Sequence, residues 1–158
     1  MSFQEKNIAV SLGSFSLILV IFIIRVLQMF VNESFTSTNV FRLWGIVIVM
    51  AIVVTILATI LTHIVSAIAS AISHYIKTGD ENPDIEDIEH IADERDKLID
   101  LKGTRVTYTV SSIGVFIAML TFVFGQPPLV MFTLLIFFGV LAQVIGDISR
   151  LVRYRRGF

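Results

Sequence analysis

Cysteine is absent from the chain, which excludes disulfides, thiolate metal sites and a cysteine nucleophile. Proline is confined to positions 83, 127 and 128, so long helices can run without the interior break that proline imposes. Charge is scarce as well. Of the 158 residues 16% are charged and 55% are apolar, too few charges for a water-soluble domain of ordinary composition. A Gly-rich phosphate loop, a G-x-S-x-G elbow and an H-E-x-x-H pair are all missing, and with them the commonest catalytic frames. An enzyme is not expected, and no cofactor is implied.

What the chain does have is four long apolar runs, at about 8–31, 40–73, 106–125 and 129–151. Each is long enough to cross a hydrocarbon core of ~30 Å as a helix of about 20 residues. A barrel would show short alternating segments instead. The first run is longer than a signal peptide's apolar core and no small-x-small cleavage site follows it, so it reads as an uncleaved span. The expected fold is an all-α membrane protein, a single four-helix transmembrane domain. Lipid is its first partner, and either one chain or a homo-oligomer can complete the bundle.

Basic residues set the expected orientation, because Lys and Arg near span ends stay on the cytoplasmic side. Lys6 precedes span one; Lys77, Arg95, Lys97, Lys102 and Arg105 lie between spans two and three; Arg150, Arg153, Arg155 and Arg156 close the chain. The other side has only Arg42. Both termini are therefore expected in the cytoplasm, at a cell (plasma or inner) membrane. Between spans three and four, Gly125-Gln126-Pro127-Pro128 reads as a helix stop followed by a helix start.

The long connection between spans two and three carries a second signal. Thr78-Gly79 reads as a stop and Asn82-Pro83 as a new start, predicting an amphipathic cytoplasmic helix over about 83–102 that runs on into span three. Ile85, Ile88, Ile91, Ala92, Leu98 and Ile99 share one face; Glu86, Glu89, Asp93, Asp96 and Asp100 form a stripe on the other. Ten of the thirteen acids of the protein fall within 80–100. Such a stripe is a solvated face or a docking surface for a basic cytoplasmic protein; it does not suit direct contact with nucleic acid. The C-terminal arginines either meet anionic lipid or close onto the acids from within.

Small and polar residues mark the expected helix–helix seams, since membrane helices associate by close packing and hydrogen bonds. Span one offers Ser11, Ser14, Arg25 and Gln28, with Ile18 and Ile21 between; span three offers Thr107, Ser111, Gly114, Ala118, Thr121 and Gly125; span four offers Gly139, Gln143, Gly146 and Arg150. Span two carries Thr55, Thr59, His63, Ser66, Ser70 and His74, which reads as a packing seam or as a polar path for ions or protons. By helix rise, His63 is about 30 Å from Leu43, Arg25 about 26 Å from Ile8 and Asp147 about 27 Å from Leu129. Every charge thus lies near a membrane boundary. Arg25, Arg105, Asp147 and Arg150 are candidate interface charges, with Asp147 pairing either Arg150 on its own helix or Arg105 on span three. Glu86, His90 and Asp93 or Glu94 have helical metal-ligand spacing, but a single set without a second pair predicts no metal.

The stretch Asp93-Glu94-Arg95-Asp96, followed by Lys102 and Arg105 at the start of a span, resembles the hallmark of an uncharacterised family of small four-span membrane proteins. The ending from Gly146-Asp147 through Tyr154-Arg155-Arg156-Gly157 is compatible with it. The likeness covers the chain from about Asp93 onward. It implies a small four-span membrane protein, of a kind suspected of working with helix-turn-helix regulators, and assigns no activity. The function expected is a regulatory or interaction protein; a small oligomeric transporter or channel lined by span two, and a structural subunit of a larger complex, are the alternatives.

Overall fold

The computed structural model describes residues 3–78 and 94–156, with the side chains at 3, 4, 6, 61–63, 65, 66, 69–78, 94 and 95 outside the description. Four helices follow one another: α1 (Phe3–Val31), α2 (Ser37–Thr78), α3 (Glu94–Val123) and α4 (Pro128–Arg156). All four are long and apolar enough to cross a membrane. Glu86, Glu89, His90 and Asp93, and with them most of the expected amphipathic helix, lie outside the described residues. From Glu94 onward that segment is one unbroken helix with span three.

The two tight turns are built alike. At the end of α3, the Gly125 N–H donates to Phe122 O and the Gln126 N–H to Thr121 O, the paired bonds that satisfy a helix's last carbonyls. They require a left-handed residue between them, and Gly125 has φ 78°. Pro128 then opens α4, where its missing N–H costs nothing. At the end of α1 the same bonds run from Glu33 to Phe30 and from Ser34 to Met29. There the left-handed position, at φ 52°, is taken by Glu33, a residue that gives no sequence signal for it. Phe30 and Phe35 stack across this turn with centroids 4.4 Å apart.

α4 is the hub of the bundle. It packs against α3, α1 and α2, and the principal neighbour of α2 is α1. The α3–α4 interface follows the small residues. Gly103 lies against the Arg150 side chain, Gly114 against Phe138 and Gly146 against Thr107, and Ala118 is fully buried. Close backbone approach of this kind maximises van der Waals contact where lipid offers no hydrophobic drive.

Span one keeps the expected face as far as Ile18 and leaves it beyond. Its buried face is Phe15, Ile18 and Phe22, joined with Leu43 and Val47 of α2 and Val140 and Val144 of α4. Ser11 and Ser14 border that face, whereas Arg25 and Gln28 are exposed. Large side chains fill the gap between α1 and its neighbours, and Arg25 keeps its charge at the helix surface, where it can reach a boundary. Gly139 of α4 is likewise exposed and has open space around it.

Candidate functional site

α1 begins, α4 ends and α3 begins at one end of the bundle, called the base here. Glu5 and Arg155 lie 3.5 Å apart there. Slightly deeper is the main polar cluster. Asp147 is almost fully enclosed, its side chain 4% exposed. Three groups donate to it: Ser11 Oγ to Oδ2 at 2.8 Å, Gln143 Nε2 to Oδ1 at 3.2 Å and Arg150 Nη1 to Oδ1 at 2.9 Å. Helical spacing supplies two of them, since residues three and four apart share a face. The third arrives from α1. Of the two partners open to Asp147 in the sequence, the structure brings Arg150; Arg105 sits exposed on α3 beside Tyr108 and Thr109.

Arg150 extends the cluster onto α3. Its Nε donates to Asp100 Oδ1 and its Nη2 to Thr104 Oγ1, both at 2.9 Å. Gly103 makes this reach possible, because a Cβ there would collide with the Arg150 side chain. One turn lower, Tyr154 Oη donates to Asp96 Oδ1 at 2.9 Å. Two of the five stripe acids are thus tied to α4. Tyr154→Phe is expected to lower stability by about 1 kcal/mol, the loss of one partly exposed hydrogen bond to a charged acceptor. A chemical-denaturation midpoint followed through Trp44, the single tryptophan, checks it.

A cavity of about 310 Å³ opens beside Asp147 between α1, α2 and α4. Ser11 and Phe15 line it from α1, Gln143, Asp147 and Arg150 from α4, and Thr55 and Thr59 from α2. The two threonines donate to their own helix, Thr55 Oγ1 to Ala51 O and Thr59 Oγ1 to Thr55 O. The side chains of His63, Ser66, Ser70 and His74, the rest of the span-two stripe, lie outside the description. Helix rise separates the stripe all the same. Ser66 and His74 stand about 35 Å and 47 Å along α2 from Leu43, past a ~30 Å hydrocarbon core, while Thr55 and Thr59 fall inside it. Among the described residues no cluster of three or more His, Cys, Asp or Glu could hold a metal.

No family model, curated protein or solved structure matches this chain. The site therefore has to be read from its own chemistry. The sequence singles out Asp147, Arg150, Asp100, Thr55 and Thr59 but places them in three separate groups. Ser11 appears in it only as a packing residue, and Thr104 not at all. Serine and threonine are common in membrane helices, and only the approach of α1 and α3 to α4 turns these two into partners.

Proposed function

We propose that this protein is a non-enzymatic interaction protein of the cytoplasmic membrane, with both termini and the 79–93 connection in the cytoplasm. Its acidic connection docks a basic cytoplasmic protein. One observation carries the reading: Asp96 and Asp100, the last two acids of the stripe, are fastened to α4 by Tyr154 and Arg150. The acid-rich segment thus has a fixed root, and that root is continuous with the buried Asp147–Ser11 contact. Eight further acids lie within 80–94, just before the root, a concentration that speeds encounter with positive surfaces. A bound partner would pull on a network that ties α1, α3 and α4 together, which gives the docking event a route into the membrane bundle.

The test compares wild type with a Glu86→Gln, Glu89→Gln, Asp93→Asn variant, leaving Asp96 and Asp100 intact because they hold α3 to α4. Both are purified gently from the native host and co-purifying proteins are identified. The expected result is a soluble basic protein that is retained by wild type, released by raised salt and lost in the variant. Identical co-purifying sets would sink the docking reading. The cavity supports a second reading, a small oligomeric carrier or channel, because Thr55 and Thr59 border the same space as Asp147. Ion or proton flux in reconstituted vesicles, reduced by Thr55→Val with Thr59→Val, is the result that reading requires.

A further inference from the structure

The cavity between α1, α2 and α4 is rich in hydrogen-bond acceptors. Ser11 gives its hydroxyl hydrogen to Asp147, and Thr55 and Thr59 give theirs to backbone carbonyls at 2.8 and 2.9 Å. A hydroxyl has one hydrogen to donate, so all three are left with acceptor lone pairs. Arg150 spends three of its five N–H groups, one from each nitrogen, on Asp100, Asp147 and Thr104, so most of its donor capacity is already engaged. Gln143 turns its amide nitrogen to Asp147; a carboxylate only accepts, so Gln143 keeps its carbonyl oxygen as a further acceptor beside one remaining N–H. Asn7 can present either end of its amide. Charge points the same way, because Asp100 and Asp147 against Arg150 leave the lining with one net negative charge.

We propose that this cavity binds a small primary ammonium cation. Its N–H groups donate to the threonine hydroxyls and the carboxylates, and its alkyl part lies against Ile8, Phe15 and Val54. Phe15 also offers an aromatic face to a positive charge. An anion meets net negative charge, and the guanidinium it would need is already paired with two carboxylates. A neutral apolar molecule strips water from acceptors and gives them nothing in return. A bare metal ion needs oxygens closed tightly round it, and a space of about 310 Å³ is far too large for that. The proposal names a ligand for the cavity that supports the carrier reading, but it requires binding only, and it stands whether or not the acidic connection docks a partner.

The test titrates purified full-length protein in detergent with ethylammonium, tetramethylammonium or sodium chloride at matched ionic strength. Unfolding midpoint is followed through Trp44, and saturation-transfer NMR reports contact with the ethylammonium protons. Expected is a saturable rise in midpoint with ethylammonium alone. In Thr55→Val with Thr59→Val, which spares the Arg150 network, affinity is expected to fall about tenfold, as for one hydrogen bond to a charged group. Equal shifts from all three salts, or no saturable shift from ethylammonium, overturn the proposal. So does unchanged ethylammonium affinity in the double variant. Because no flux is measured, failure here is distinct from failure to transport.

Discussion

Asp147→Ala is expected to destabilise the folded bundle by about 3 kcal/mol, the loss that follows when one partner is stripped from a buried ion pair. The Asp147 side chain is 4% exposed and that of Arg150 is 13% exposed, so both charges are largely shielded from bulk water while the helices stay packed. Alanine would remove the acceptor of Ser11, Gln143 and Arg150 together. Arg150 would keep Asp100, but that carboxylate is 71% exposed and a solvated partner compensates a buried guanidinium poorly. Asp147→Leu combined with Arg150→Met is expected to be much milder than either single change, because it strands no charge. A double-mutant cycle on unfolding midpoints, followed by Trp44 fluorescence in a graded SDS titration, separates the cases. Additive single losses would mean that the pair is not coupled and that Asp147 is reached by water.

The second large effect concerns the α3–α4 seam. Gly114→Ala is expected to cost about 2 to 3 kcal/mol, at the upper end of the range for overpacking. The new methyl would collide with Cβ and Cγ of Phe138. Those atoms sit next to the α4 backbone, so no change of rotamer removes the clash and the helices must separate. Gly139→Ala is the control. Nothing lies within 4 Å of a Cβ there, and replacing a helical glycine by alanine is worth up to about 1 kcal/mol in helix propensity. The two substitutions have the same chemistry and are expected to move the unfolding midpoint in opposite directions. A shared direction would show that α3 does not rest on α4 at Gly114.

The same pair shows how far the sequence carries. Gly114 and Gly139 both fall at the spacing of an inward face, and nothing local distinguishes them. One meets a phenylalanine and the other meets open space. Span one shows the same limit more sharply, since Arg25 and Gln28 share the phase of Ser11 and Ser14 but stand exposed. A helix has one buried stripe, and on α1 the bulk of Phe15, Ile18 and Phe22 decides where it lies. Small and polar residues mark a seam only when a neighbouring backbone comes close enough to use them.

Four long apolar helices, the Gly125–Pro128 turn and the absence of cysteine chemistry were determined by the sequence alone. Each depends on neighbours along the chain: run length against membrane thickness, a residue that tolerates positive φ, a side chain that is or is not there. The choice of Arg150 over Arg105 for Asp147, the enclosure of that carboxylate and the meeting of Ser11, Thr55 and Asp147 around one cavity were decided by the tertiary structure. They depend on which helix faces which, and residues 136 positions apart in the chain, as Ser11 and Asp147 are, meet only once those faces have packed.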